Sequence, residues 1–183
     1  MRQGGFGLVE LLFSVVIVSL VIGAVLVYGG RAMRETNAAE WTEAAQRMIQ
    51  SVREGYKDGD STYAGLSEQV ARANGWVPDV MWNAAGSGSA IVPWNGTWSL
   101  HGRTAGGAST QAPLQMEVVY GAQDSDVCVS VTNALRRMVR DIRRGGSGVG
   151  GNQGAITNPT PNQIVSACRS SGSAVTLVYG FAY

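Results

Sequence analysis

The hydrophobic pattern changes along this chain from a continuous apolar stretch to a periodic one. The continuous stretch covers residues 6–28, and the only charged side chain clearly inside it is Glu10. As a helix, its 23 residues extend roughly 35 Å, enough to cross a bilayer core of about 30 Å. Lipid offers the backbone amides no partners, so a single apolar segment there has to be helical. The pattern predicts a membrane anchor.

A periodic pattern over residues 31–56 extends the same helix. No proline interrupts it, and its apolar residues recur at steps of three and four, which makes one stripe. The stripe consists of Trp41, Ala45, Met48, Ile49, Val52 and Tyr56. We therefore predict one helix over residues 6–56, apolar all round in its first half and amphipathic in its second. Gly23 and Gly29-Gly30 are its weak points, because each glycine costs a helix about 1 kcal/mol relative to alanine.

A second, short helix is predicted over residues 66–75. Ser67 is the expected N-cap, and Asn74-Gly75 is the expected C-terminal stop.

Three further segments predict strands. Asn95-Gly96 lies between short apolar runs in residues 91–100, a pattern typical of a β-hairpin with a two-residue type I′ turn. Residues 115–120 alternate in part and predict a strand. Residues 174–181 predict another, central to the sheet. Together these elements indicate an α+β fold, in which a long N-terminal helix packs on a small antiparallel sheet with peripheral helices.

Composition and charge narrow the classes of function. Lys and Arg number 14 against 13 Asp and Glu, 15% of residues are charged, and 25 are glycine. This describes a loop-rich head of about one domain beyond the anchor. A near-neutral balance does not favour a nucleic-acid-binding surface, so nucleic acid is not an expected partner.

Residues 131–144, VTNALRRMVRDIRR, predict an amphipathic helix. Its apolar face would hold Val131, Leu135, Met138, Val139 and Ile142. The other face would hold Arg136, Arg137, Arg140, Arg143 and Arg144. Three interpretations remain open: a core-packed helix with a solvated basic face, a subunit interface that meets acidic groups on a neighbour, or a surface that binds DNA or other anions.

Other stretches give little support for catalysis, a cofactor or a metal. His101 is the only histidine, which leaves almost no material for a triad or a metal cluster. The glycine-rich residues 145–151 lack the Gly-Lys-Ser/Thr end of a phosphate-binding loop. The Asp-x-Asp at residues 58–60 lacks the remaining ligands of a calcium loop. Trp76, Trp82, Trp94 and Trp98 are interpreted as core residues rather than as a ligand-stacking surface.

The N-terminal residues carry a more specific signal. Arg2 is followed by Gly4-Gly5, then Phe6, and Glu10 is the fifth residue after Gly5. This arrangement resembles the type IV pilin signature that prepilin peptidase reads. The resemblance implies cleavage between Gly5 and Phe6, N-methylation of Phe6, and a mature chain of 178 residues (183 minus 5). For a generic anchor, Glu10 would instead lie at interface depth and reach water.

The order of the predicted elements is most similar to that of type IVb pilins, namely the thin-pilus pilins of conjugative plasmids and the toxin-coregulated and bundle-forming pilins. The five-residue leader and Phe6 depart from the usual type IVb pattern. The resemblance implies residues 1–5 as leader, 6–30 as the membrane and filament-core segment, and 31–183 as the head. It also implies that Glu10 pairs with the α-amino group of a neighbour's Phe6 in a helical homopolymer.

Function and location follow from the same resemblance. We expect a precursor in the bacterial inner membrane that joins an extracellular pilus through the inner-membrane assembly machinery. The pilus would serve adhesion, aggregation or the stabilisation of conjugative mating pairs. The alternatives are a pseudopilin of type II secretion and a membrane-anchored ligand-binding protein that never polymerises.

Cys128 and Cys168 are the only cysteines. Their spacing is too wide for a metal-binding CxxC unit, and a pair in an exported head predicts one disulfide. The pilin resemblance agrees, since such pairs enclose a C-terminal region in that family. Two free cysteines are the alternative.

Overall fold

The computed structural model describes residues 7–57, 63–83, 89–94, 96–102, 114–145, 155–169 and 173–181. The chain forms two units, Met1–Thr36 and Asn37–Tyr183. The long helix α1, Leu8–Gly55, begins in the first unit and ends in the second.

In the first unit, the described residues are almost entirely helical, which confirms the predicted helix from Leu8 onwards. Gly23, Gly29 and Gly30 all lie within α1, so no break occurs at the predicted weak points. Phe6 and the leader residues lie outside the described residues.

The second unit combines the end of α1 with three short helices and seven strands among its described residues. The helices are α2 (Glu68–Ala73), α3 (Ser125–Leu135) and α4 (Pro161–Cys168), with a 3₁₀ turn at Asp79–Met81. The strands are β1 (Trp82–Asn83), β2 (Ser89–Ala90), β3 (Trp98–Gly102), β4 (Leu114–Tyr120), β5 (Val139–Gly145), β6 (Ile156–Thr157) and β7 (Val175–Phe181).

Five strands form one antiparallel sheet in the order β3-β4-β7-β5-β6, and β1 pairs with β2 apart from it. The predictions of strands over residues 115–120 and 174–181 are confirmed, and β7 is central as expected. Alternate side chains of β4 are buried, because one face of the sheet covers the core.

The apolar stripe of α1 is buried in this core, except for Tyr56, which is partly buried. Trp41 is fully buried, donates its indole N–H to the Ile91 carbonyl at 3.2 Å, and contacts the Trp94 ring edge-on at 5.2 Å. Trp98 is also buried, and Trp76 and Trp82 pack against the core while partly exposed. The interpretation of these tryptophans as core residues is confirmed.

The short helix α2 is confirmed with its caps. The Ser67 hydroxyl accepts from the Val70 N–H, and Asn74 is the C-cap. Gly75 then takes φ +73°, a left-handed conformation that glycine adopts without strain.

The predicted hairpin over residues 91–100 is wrong. Pro93 and Trp94 lie in a turn, and β3 pairs with β4, with Trp98 opposite Val118. The Val92 N–H does reach the Gly96 carbonyl at 3.4 Å, while Asn95 lies outside the described residues. Val92 and Trp94 are buried, so the segment before Asn95 packs into the core instead of pairing with β3 as a hairpin strand.

The predicted helix over residues 131–144 is confirmed as far as Leu135, where α3 ends, and is wrong beyond it, since β5 begins at Val139. The cause is a β-bulge: Val139 lies opposite Phe181 and Asp141 opposite Gly180, so Arg140 is the extra residue. The bulge shifts the alternation, and Val139 and Ile142 both face the core. The three-residue spacing between Val139 and Ile142, which is also typical of a helix, therefore arises here from a bulged strand.

Gly102 lies where β3 passes under the loop that follows α1. A Cβ placed there would collide with the backbone carbonyl of Tyr63, a buried residue at φ +54°. We expect Gly102→Ala to destabilise the head by about 1–3 kcal/mol, as overpacking does. Denaturant unfolding of the full chain measures this. Gly30→Ala, at a helical position with nothing within 4 Å, is the control and should cause no loss. Equal stabilities for both variants would contradict the clash.

Candidate assembly surface and disulfide-bounded region

The first candidate surface is the apolar part of α1. Within the described residues, α1 is the one helix long and apolar enough to cross a membrane. Its large apolar side chains are exposed on every side, from 54% at Val16 to 71% at Tyr28. Water does not stabilise such a surface, because burying one large aliphatic side chain gains about 1.5–3 kcal/mol. Lipid or other apolar helices therefore have to cover it.

Glu10 lies in the first turn of α1 and is exposed. Its backbone N–H donates to the Gly7 carbonyl at 2.9 Å, and its own carbonyl accepts from the Ser14 hydroxyl at 2.8 Å. Residues 11–30 contain no acidic or basic side chain. The carboxylate is thus at the N-terminal end of the apolar surface, where the helix dipole favours negative charge. Gly5 and Phe6, the predicted processing residues, lie outside the described residues.

Cys128 and Cys168 form a disulfide, which confirms that prediction. Both cysteines are buried, and the bond joins α3 to the end of α4 with Cα atoms 5.7 Å apart. The bridge bounds a segment that contains β5, β6 and most of both helices. This segment, residues 128–168, is the disulfide-bounded region.

A buried hydroxyl network lies beside the disulfide. Tyr120 and Tyr179 share a hydrogen bond at 2.6 Å, and Tyr179 shares another with Thr132 at 2.8 Å. The Thr132 hydroxyl oxygen lies 3.9 Å from the Cys168 sulfur. The network links α3 to the two strands at the centre of the sheet. Sequence analysis missed it, because the alternating burial of β4 and β7 shows which face a tyrosine takes but not which hydroxyl it meets.

Burial raises the pKa of Tyr179 to about 12, although its bonds to Thr132 and Tyr120 oppose the rise. Burial also raises the pKa of Tyr120 well above 10, and Tyr179 adds to that rise. In the unfolded chain both hydroxyls ionise near pH 10, whereas the folded state retains their protons. The stabilisation from the two protonated hydroxyls is thus full below pH 10 and is lost as the pH rises through the raised pKa values of the folded state.

Alkaline unfolding of the Tyr179→Phe variant tests this network. We expect the free energy of unfolding to fall by about 1–3 kcal/mol at neutral pH, since Tyr120 and Thr132 each lose a hydrogen-bond partner. Above pH 10, the stability of the variant should decrease less steeply with pH than that of the wild type. Tyr56→Phe, at a half-buried tyrosine, is the matched control and should keep the wild-type alkaline slope. Denaturant titrations at several pH values measure the free energy of unfolding. An unchanged slope in Tyr179→Phe would contradict the assignment.

The five arginines do not share one helix face, and two of them, Arg143 and the exposed Arg144, make polar contacts with other residues of the head. The Arg143 Nε–H donates to the buried Asp141 carboxylate at 3.1 Å. Arg144 donates from a terminal nitrogen to the Arg169 carbonyl at 2.8 Å, which ties β5 to the end of α4. Each of these two side chains therefore has a partner within the same subunit.

Arg136, Arg137 and Arg140 are exposed. Arg136 is the C-cap of α3, Arg137 follows in the turn, and Arg140 is the bulge residue of β5. Cations are favourable beside the negative end of a helix dipole, which accounts locally for the first two. These three side chains remain available to a partner, and we call them the arginine surface.

A cleft of about 250 Å³ lies between α4 and the edge formed by β5 and β6. It is lined by Ile142, Arg143, Arg144, Ile156, Gln163, Ser166 and Ala167. Sequence analysis missed both the cleft and α4, although Thr160-Pro161 with Gln163 is a capping-box signal. Among the described residues, no three His, Cys, Asp or Glu side chains come together in a way that suits a metal ion.

Two family models match the chain. The one described as PilS N terminal covers residues 34–180, which is 147 of the 183 residues. The chain belongs to the PilS family. The prokaryotic N-terminal methylation motif matches residues 1–26. The resemblance to type IV pilins is thereby confirmed, and membership of a pilin family makes the protein a structural subunit rather than an enzyme.

Comparison with solved structures supports the same fold. The chain is similar to a type IVb pilin from Salmonella typhi, with a TM-score of 0.52 and 18% sequence identity over 83% of this chain and 99% of that chain. No match was found among curated protein sequences. The expected pilin fold, a long N-terminal helix with an antiparallel sheet, is confirmed. PilS family membership also implies self-polymerisation and processing by prepilin peptidase.

Proposed function

We propose that this protein is the structural subunit of a type IVb pilus. Its precursor would be held in the bacterial inner membrane, cleaved between Gly5 and Phe6, N-methylated on Phe6, and polymerised by the inner-membrane assembly machinery. One observation carries the proposal: the first half of α1 is apolar and exposed on all sides, with a single carboxylate, Glu10, in its first turn. This surface suits lipid before assembly and a bundle of identical helices afterwards.

The proposed chain has three parts. Residues 1–5 are the leader, 6–30 cross the membrane and later form the filament core, and 31–183 include the head. The absence of acidic and basic side chains from residues 11–30 supports the middle part. Those 20 residues extend about 30 Å as a helix, the thickness of a bilayer core.

Glu10 would fix the register between subunits. In a core of packed apolar helices, a carboxylate without a cation is very costly. The α-amino group created at Phe6 by cleavage is a cation that every neighbouring subunit carries. An ion pair between the Glu10 carboxylate and this α-amino group compensates for the cost of burying the charge. The pair can form at only one axial displacement between neighbouring subunits.

The arginine surface is proposed as a further contact between subunits. Exposure of Arg136, Arg137 and Arg140 supports this. Arg143 is paired with Asp141, and Arg144, although exposed, already donates to the Arg169 carbonyl. Acidic groups on a neighbouring head are the expected partners. At the level of the cell, the pilus would serve adhesion, aggregation or stabilisation of mating pairs during conjugation.

Intact-mass analysis and N-terminal sequencing of filaments sheared from the cell surface test the proposal. We expect a chain that begins at methylated Phe6 and whose mass is two hydrogens short of the reduced form, because of the disulfide. A chain that begins at Met1 and occurs only in membranes would overturn the proposal and favour an anchored protein that does not polymerise.

A further inference from the structure

The cleft between α4 and the β5–β6 edge is lined by both polar and apolar groups. Its apolar lining comes from Ile142, Ile156 and Ala167. Its polar lining includes Arg144 on β5 and two α4 residues, Gln163 and Ser166, which are three positions apart and lie on one helix face.

The polar groups of the cleft are mainly donors, because a guanidinium has no acceptor and the head already uses the side-chain acceptor of Gln163. The side-chain oxygen of Gln163 accepts from the Thr160 backbone N–H at 2.9 Å and from the Thr160 hydroxyl at 3.0 Å. Its amide nitrogen is therefore left to donate. Arg144 uses one terminal nitrogen on the Arg169 carbonyl and retains its other N–H groups. Ser166 adds a hydroxyl.

Charge makes the cleft suitable for an anion. Among the described residues that line it there is no acidic side chain, and Arg144 brings a full positive charge. The second lining arginine, Arg143, is paired with Asp141 and contributes little net charge. A guanidinium beside neutral donors is the usual arrangement for binding a carboxylate.

The volume and the apolar lining limit the ligand. Sites for drug-sized ligands measure about 300–1,000 Å³, so a cleft of about 250 Å³ suits a single ring or residue. We propose that this cleft binds the carboxylate of an acidic sugar residue. Arg144 holds the carboxylate, Gln163 and Ser166 bind neighbouring hydroxyl groups, and the isoleucines contact the C–H face of the ring. This site belongs to a single subunit and does not depend on polymerisation.

Binding is tested by NMR on the isotope-labelled full chain in detergent micelles, with three probes at constant ionic strength. Glucuronate should shift the backbone amide signals of Gln163 and Ser166, and glucose, which has the same ring without the carboxylate, should not. Acetate, the carboxylate without a ring, should bind at least about tenfold more weakly than glucuronate. Equal binding of acetate and glucuronate would overturn the sugar assignment, and no shift with glucuronate would overturn the site.

Gln163→Glu is the decisive variant. Glutamate is the usual capping-box residue, so it keeps the acceptor for Thr160 while it removes the amide donor and adds a repelling charge. Affinity for glucuronate should fall at least about tenfold, with unchanged amide signals in the sheet. Arg140→Gln removes an exposed arginine outside the cleft and should bind like the wild type. An equal loss in both variants would indicate general charge attraction and overturn the proposal, as would wild-type binding by Gln163→Glu.

Discussion

Surface filaments are expected to disappear when Glu10 is changed to Gln, while the chain still enters the membrane. In the proposed filament core, this change leaves a neighbour's α-amino group buried without its anion. Removal of one partner from a buried ion pair costs about 3–5 kcal/mol. Because each 1.4 kcal/mol is about tenfold in an equilibrium constant, subunit addition should weaken by more than about a hundredfold.

Insertion should persist in the same variant. The free-energy cost of placing a neutral amide in lipid near the end of a membrane-spanning helix is no greater than that of the carboxylate it replaces. The measurement compares filaments sheared from cells, viewed by electron microscopy, with the amount of subunit in membranes. Glu35→Gln makes the same chemical change at an exposed position of α1 beyond the apolar stretch and should leave filaments intact. Normal filaments in Glu10→Gln would contradict the proposed pairing.

Loss of the disulfide should have the largest effect on the stability of the head. The bond closes a loop with a sequence separation of 40, and the chain-entropy relation assigns such a loop about 4 kcal/mol. We expect the double variant Cys128→Ala, Cys168→Ala to lose about this free energy of unfolding in denaturant titrations. The loss would be a large part of the roughly 5–15 kcal/mol typical of a domain.

Reduced wild-type protein is the matched control for the double variant. It keeps both sulfur atoms and lacks only the bond, so it should unfold at nearly the same denaturant concentration as the double variant. A reduced protein as stable as the oxidised one would contradict the expected contribution of the loop. A double variant much less stable than the reduced protein would assign the remaining loss to the buried sulfur atoms.

The elements that the sequence predicted well are those with long or redundant local signals. α1 has a continuous apolar stretch followed by a stripe of period 3.6, and α2 has a capping serine and a stop of Asn74-Gly75. The strands β4 and β7 are seven residues long; β4 buries alternate side chains throughout, and β7 does so over its first five residues. Such patterns can be seen in the sequence itself, because a helix or strand that buries one face needs apolar residues at that spacing in any tertiary context.

The errors occurred where a partner distant in sequence decided the local structure. Residues 139–145 follow a helical spacing, but pairing with β7 and a bulge at Arg140 make them a strand. Asn95-Gly96 favours a local hairpin, yet β3 pairs with β4 instead. α4 was missed because its eight residues carry one short apolar face, and only its capping box marks it.

Residues alone determined the class of this protein and its processing signal. An apolar run with one glutamate, a small-residue site before Phe6, and a pair of cysteines each depend on composition and spacing along the chain, so they can be recognised from the sequence alone. The tertiary structure alone decided which arginines are exposed, how Tyr120, Tyr179 and Thr132 meet beside the disulfide, and that α4 and β5 enclose a cleft. These features join residues up to 59 positions apart, and their contacts arise from strand register and helix packing, which no local pattern specifies.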